Sequence, residues 1–267
     1  MNRTKDILLA VTSYNQVEFT RRCFETLKDF RGKIICMDDA SSDPVEDLCK
    51  EFGVDFYGRS EAKGLTHSWN QAYRIFLESR FRYLVISNND VLFPSRSLAN
   101  LADDLSVYPY VGVMTRKKEP WKHAKIQGVE NYHDLASIDP NEPGNYEKIQ
   151  QLVLQNHLKP VAVDVVYGFC FGVSKEIEKC AFSKDCLFDP SNINIGQEAD
   201  LSSRVPQAML CRNAFVYHFK GVSFQHPRSR KERRNELEYC RMNHCLKDKN
   251  PGLLSMLQLK IKECLQA

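Results

Sequence analysis

The chain has 267 residues, with 37 lysines and arginines against 34 aspartates and glutamates, a net charge of +3. Its 43% apolar and 27% charged residues match an ordinary folded domain and exclude a disordered polyelectrolyte, a collagen-like repeat and a small disulfide scaffold. A charge so near zero leaves no electrostatic footprint for nucleic acid.

In chain order, Ile7–Thr12 is an apolar run that reads as a buried strand. Asn15 stands three residues before Glu18 and predicts a helix start, with Cys23, Phe24, Leu27 and Phe30 at helical spacing behind it. Lys33–Met37 is a second strand, stopped by Asp38-Asp39-Ala40-Ser41-Ser42, and Asp43-Pro44-Val45-Glu46 predicts the next helix start. Val54–Tyr57 is a third strand, followed by a helix over about 66–79. Tyr83–Ile86 is a fourth, ending in Ser87-Asn88-Asn89-Asp90, with a helix over about 98–106 and a fifth strand at Val111–Met114 beyond it. This alternation predicts a mostly parallel α/β sheet with helices on both faces, in which ligands bind beyond the carboxyl ends of the strands.

From Arg116 to Pro160 the pattern gives way to a polar stretch with one helix expected near 146–155. Apolar periodicity returns over Val161–Tyr167 and Gly168–Val173; a helix is expected from about Ser174, another after Asp200, and a strand at Ala214–Tyr217. The ten cysteines contain no C-x-x-C pair, so they read as reduced, buried thiols of a cytoplasmic protein. No run approaches the roughly 18 apolar residues of a membrane span. The start of the chain, Met1-Asn2 followed closely by a strand, reads as lacking a signal peptide or myristoylation site. Residues 226–267 hold ten basic and five acidic side chains, a local +5. They are expected to be a basic helical tail, either solvated or docked peripherally at an anionic membrane on the cytoplasmic face.

The polar residues gather at the strand ends: Thr12-Ser13-Tyr14-Asn15, Asp38-Asp39 and Asn88-Asn89-Asp90. Carboxylates after the second strand suit a nucleobase N–H or a ribose hydroxyl. A single carboxylate among amides after the fourth suits Mg²⁺ or Mn²⁺ that keeps waters and is completed by a diphosphate.

In order and spacing these segments resemble the inverting glycosyltransferases of family 2, with the GT-A (Rossmann-like) fold. Val11-Thr12-Ser13-Tyr14-Asn15 resembles the opening strand motif, Asp38-Asp39-Ala40-Ser41-Ser42-Asp43 the DDxSxD segment, and Gly64–Asn70 the helix entry ending in Asn. Asn88-Asn89-Asp90 resembles the metal-binding DxD in the form seen in bacterial polysaccharide transferases. Gln197-Glu198-Ala199-Asp200-Leu201 and Val216–Ser223 resemble the family's later motifs. The resemblance implies one domain over 1–225, with a nucleotide-binding half (1–115) and an acceptor-binding, catalytic half (116–225). It implies a nucleotide-sugar donor, UDP- or dTDP-linked, with Thr12 and Tyr14 at base and ribose, Asp38 on the imide N–H, Asp39 supporting that loop or the ribose, and Asn70 and Asn89 also on the donor side, while Arg59 and Lys63 are diphosphate partners by their charge. Asp90 and His218 would hold the Mn²⁺ or Mg²⁺, and Glu198 or Asp200 would be the catalytic base toward a glycan, lipid-linked or protein acceptor.

Other residues are assigned more modestly. Trp69 is expected in the core and Trp121 against an acceptor sugar. His67, His123, His133 and His157 are expected at the surface or the acceptor site, and Gly168 and Gly172 where backbone approaches substrate. Two alternatives remain at this point. A sugar nucleotidyltransferase would want a Gly-rich basic loop after the first strand, and Thr12–Gln16 lacks one. A catalytically silent binding module of the same fold is the other.

Overall fold

The computed structural model of the protein describes residues 3–115, 158–194 and 196–219, with positions 145, 148 and 151. Of the helix expected over 146–155, Lys148 and Gln151 are helical. Its other residues, Trp121, His123, His133, His157 and the basic stretch 226–267 lie outside the described residues.

The strands are β1 (Ile7–Ser13), β2 (Lys33–Asp38), β3 (Asp55–Tyr57), β4 (Tyr83–Asn88), β5 (Val91–Leu92), β6 (Tyr110–Met114), β7 (Val161–Val163), β8 (Cys170–Ser174), β9 (Ala208–Phe215) and β10 (Tyr217–His218). The helices are α1 (Val17–Thr26), α2 (Val45–Phe52), α3 (Leu65–Glu78), α4 (Ser97–Leu105) and α5 (Gln197–Arg204). Eight strands form one sheet in the order β3-β2-β1-β4-β8-β6-β9-β7. β1 pairs parallel with β2 and β4, β2 with β3, and β6 with β9. β8 is antiparallel to both β4 and β6, so residues from the second half of the chain are laced into the middle of the first half's sheet. The short pair β5–β10 is a second, separate ribbon.

The alternation of β1 divides the core in two. Ile7, Leu9 and Val11 face a cluster that includes Phe24 and Leu27, Val45 and Leu48, and Leu98 and Leu101, so this layer holds α1, α2 and α4. Leu8 and Ala10 face the other layer, where α3 contributes Trp69, Ala72, Tyr73 and Phe76 and α5 contributes Leu201. The 69-72-73-76 spacing is one face of a helix. A strand buried on both faces reads as a continuous apolar run, which is why β1, β2 and β4 are so plain in the sequence.

Several ends differ from expectation. Asn15 does not cap α1: Asn15 (φ 57°) and Gln16 (φ 61°) are both left-handed, and α1 begins at Val17. Asp43 does not cap α2 either. Its carboxylate accepts from the Val17 N–H at 3.0 Å, capping α1 from 26 residues away, and Pro44 takes the cap position of α2. The Asn15 side chain is engaged elsewhere, its Oδ1 accepting from the N–H and hydroxyl of Ser42. Asp43→Ala should therefore lower stability by about 1 kcal/mol, read as a drop in Tm, with the loss assigned to α1 by hydrogen exchange.

The periodic stretch 161–167 forms only the short β7, and a 3₁₀ turn (Lys175–Cys180) replaces the helix expected from Ser174. β9 begins six residues earlier than its apolar end suggests, at Ala208, because Ala208–Leu210 pair with β7 and Met209–Cys211 with β6. No helix among the described residues is long and apolar enough to cross a membrane.

Candidate active site

Three loops meet where β1, β2 and β4 end. The Asp38 carboxylate accepts from the Ser41 N–H at 2.9 Å and the Ser41 hydroxyl at 2.5 Å. Ser41 in turn receives the Asn15 N–H at 2.6 Å, and Asn15 Oδ1 accepts from the N–H and hydroxyl of Ser42 at 2.7 and 3.0 Å. Asn89 closes the set, its amide donating to Asn15 O at 3.1 Å and Thr20 Oγ1 at 2.9 Å. Left-handed Asn15, Gln16 and Ala40 (φ 63°) are conformations that cost free energy and persist only where surroundings hold them. Here that lattice of bonds holds them. Thr12, 6% exposed, donates its hydroxyl to Ser87 O at 3.1 Å and ties β1 to β4, while Tyr14 stands half-buried just past the end of β1. A cavity of about 530 Å³ opens at the ends of β2 and β3, lined in part by Asp38, Ser41, Phe56 and Arg59. That volume is in the range of small-ligand pockets.

Asp39 points elsewhere. It accepts from Arg59 Nη1 at 3.1 Å, Lys63 N at 2.8 Å and Gly64 N at 2.9 Å, and so organises the loop between β3 and α3. Arg59 donates onward to Gln71 at 3.0 Å, and the Lys63 side chain is exposed. Asn70 lies away from the strand ends: both ends of its buried amide are taken by the backbone of Phe188, each at 2.9 Å. It staples α3 to the 188 segment. His67 is half-buried at the start of α3, its pKa lowered by burial and then by Arg59, Lys63 and Arg74.

Asp90 is 2% exposed, and its Oδ1 lies 3.3 Å from His218 Nε2. Neither Asp90 Oδ1 nor His218 Nδ1 makes a hydrogen bond. A buried carboxylate oxygen without one costs about 1–3 kcal/mol or more, and a divalent cation supplies what it lacks. The pair therefore fits a cation. Among the described residues no third histidine, cysteine or carboxylate joins them, so substrate oxygens and water would complete the shell. Cys23 lies within electrostatic reach of Asp90 and of Cys170; burial raises the Cys23 thiol and pushes Cys170 up to about 12, which favours the protonated form, a poor ligand.

Glu198 sits in the first turn of α5, 6% exposed. The segment Gly168-Phe169 runs between it and the Asp90–His218 pair. A Cβ on Gly168 would stand 3.4 Å from the Glu198 carboxyl and 2.7 Å from the buried Trp69 ring, so only glycine lets the chain pass there. The next residue, Phe169, accepts from Asn88 N at 2.9 Å and stacks on the His218 ring at 5.0 Å and 15°. Gly168 thus meets a carboxylate and a core tryptophan, where sequence reasoning expected substrate. Phe169 was not singled out, because a stacking partner for His218 leaves no mark in spacing.

Asp200 is turned to structure. It pairs with Arg204 at 2.8 Å, four residues on, and Arg204 also donates to Leu187 O at 2.8 Å and to Cys180 O. Arg204→Ala should cost about 3 kcal/mol, since it strands a mostly buried carboxylate and two carbonyls. Asp200→Asn, which keeps a side-chain acceptor for Arg204, should leave turnover within a few-fold of the parent protein. Thermal melts and initial rates check the two.

The sequence profile of Glycosyl transferase family 2 matches residues 9–182. No curated protein matches in a sequence search. Among solved structures, GalNAc-T7, crystallised with UDP, GalNAc and Mn²⁺, superposes with a TM-score of 0.53 at 11% identity, covering 79% of this chain and 42% of its own. S. aureus TarS 1-349 superposes at 0.53 with 10% identity, covering 91% of this chain and 67% of that one. A mycobacterial protein superposes at 0.52 with 13% identity, covering 90% and 77%. The chain thus spans less than half the length of GalNAc-T7. At these identities the structural likeness speaks for the fold, the GT-A arrangement of a mostly parallel sheet, and the profile speaks for descent. By a match over 174 residues that takes in the ends of β1, β2 and β4, the chain belongs to glycosyl transferase family 2.

Proposed function

We propose that the protein is a metal-dependent, inverting glycosyltransferase that moves a sugar from a UDP- or dTDP-sugar to a hydroxyl of a glycan, lipid-linked or protein acceptor. The observation that carries this reading is the Gly168-Phe169 bridge, which sets the Glu198 carboxylate on one side and the His218–Asp90 pair on the other. A group able to take a proton and a site able to hold a diphosphate's cation are thereby brought to adjoining positions.

On this reading Asp38, Tyr14 and the cavity at the ends of β2 and β3 receive the nucleoside. Each carboxylate oxygen accepts more than one hydrogen bond, so Asp38 can serve Ser41 and an imide N–H together. Asp90 and His218 would hold Mn²⁺ or Mg²⁺, and Mn²⁺ with UDP is what GalNAc-T7 carries in its crystal. The bound cation supplies Lewis-acid stabilisation of charge on the leaving diphosphate. Glu198 accepts the acceptor hydroxyl's proton as that oxygen attacks the anomeric carbon from the face opposite the diphosphate. One base and one displacement from the face opposite the diphosphate invert the anomeric centre. Asn70, which the family resemblance places on the donor, and Asp39, expected to support its loop or the ribose, are assigned here to holding α3 and its entry loop.

The test is turnover. Purified protein with Mn²⁺ or Mg²⁺ and a panel of nucleotide sugars and acceptors should release nucleoside diphosphate and form a product of inverted anomeric configuration by NMR. Release of pyrophosphate from a nucleoside triphosphate and a sugar phosphate, or a retained anomeric centre, contradicts the proposal.

A further inference from the structure

The first-turn amides of α3 are not left to solvent. Leu65 N donates to Asn194 Oδ1 at 3.0 Å, Thr66 N to Ile193 O at 3.0 Å, and the Thr66 hydroxyl to Asn192 O. Segment 192–194 is therefore bonded to the helix end at three successive residues. Asn194 stands two positions before Gly196, whose left-handed backbone (φ 93°) opens α5, and four positions before Glu198.

The same helix end is gripped from the other side by Asp39, through Lys63 N and Gly64 N. Gly64 lies between the two grips with φ 89°, and a Cβ there would meet Ile193 Cγ2 at 2.4 Å and Asn194 Oδ1 at 3.0 Å. The contact leaves no room for slack. One turn further along α3, Trp69 packs against Gly168 beside the Glu198 carboxyl.

The α3 entry thus behaves as one beam fixed at three points: to the donor end of the sheet by Asp39, to the chain entering α5 by Asn194, and to the Gly168 segment by Trp69. Resting on the reading of Glu198 as base, we propose that Asn194 is a positioning residue that sets the Glu198 carboxylate against the donor site by tying the approach to α5 onto the first turn of α3. It touches neither substrate nor reacting atoms; it fixes where the base stands. A misplacement of about 1 Å in such a group can cost about a hundredfold in rate, while a nucleotide bound at β1, β2 and β4 would not feel it.

Three variants of the full chain test this, each checked for folding by circular dichroism and thermal melt. Asn194→Ala should lower kcat by roughly ten- to a hundredfold with KM for the nucleotide sugar within about threefold. Asn194→Asp keeps an acceptor for the Leu65 N–H and places a negative charge at a helix N-terminus, where it is favoured, so it should restore most of kcat. A purely structural role predicts a lowered melt with unchanged kcat per folded molecule, and that result overturns the proposal. So does a folded Asn194→Ala protein with parental kcat, or an Asn194→Asp protein as slow as Asn194→Ala. Glu198→Gln is measured alongside. If it is as active as the parent, the assignment of the base has failed; if it is inactive while Asn194→Ala is not, only the role of Asn194 has.

Discussion

Replacing Glu198 with glutamine should lower kcat by about a thousandfold, within the 10²–10⁴ range that general-base catalysis supplies, and leave nucleotide affinity within about threefold. The substitution is nearly isosteric. It keeps the side-chain volume beside Gly168 and removes the capacity to accept the hydroxyl proton at neutral pH. The helix should survive it, because α5 is held by other bonds: the Ser202 hydroxyl donates to Glu198 O at 2.6 Å, and Val166 N donates to Ser202 Oγ at 3.2 Å. Initial rates and calorimetric titration with nucleoside diphosphate separate the two effects. A Glu198→Gln enzyme with parental kcat would remove the residue from the chemistry.

The second large effect concerns Asp90 and carries an unusual sign. Asp90→Asn should abolish cation-dependent nucleotide binding and lower turnover by roughly 10²–10³, because a Lewis-acid contribution of several kcal/mol is lost and each 1.4 kcal/mol is tenfold. Yet the same change should raise the Tm of the metal-free protein. Asp90 Oδ1 is buried without a hydrogen bond, with His218 Nε2 3.3 Å away, and a neutral amide of the same shape needs less compensation there than a carboxylate does. A binding group kept at the expense of stability is the pattern expected of a functional site. Melts with and without EDTA, beside nucleotide titrations with and without Mn²⁺, read both halves. A variant that loses stability and keeps its metal-dependent binding would show Asp90 to be a structural residue.

Much of this site was visible in the linear sequence because its parts lie at the ends of strands buried on both faces. β1, β2 and β4 are unbroken apolar runs, so the polar residues that stop them stand out. The sheet rule then places Tyr14, Asp38 and Asp90 at one edge. What periodicity cannot carry is long-range pairing. The insertion of β8 between β4 and β6, the cap that Asp43 gives to α1 and the bonds from Asn194 to α3 each join segments far apart in the chain. Motif spacing also marks a position without saying what its side chain does. Asn70 and Asp39 stand where the family pattern puts donor contacts, and their polar atoms grip Phe188 and the α3 entry. Asp200 was expected as an alternative base, and its pairing with Arg204 four residues on follows from helix geometry once α5 is in place.

The structure of the protein crystallised with UDP and Mn²⁺ tests the central claim most directly, that donor, cation and base share one site at the ends of β1, β2 and β4. The account predicts the cation on Asp90 and His218, the diphosphate on that cation, the uracil in the cavity beside Asp38, and Glu198 facing the open side of the donor across Gly168. A nucleotide bound at another edge of the sheet, or a cation held without Asp90, would contradict it.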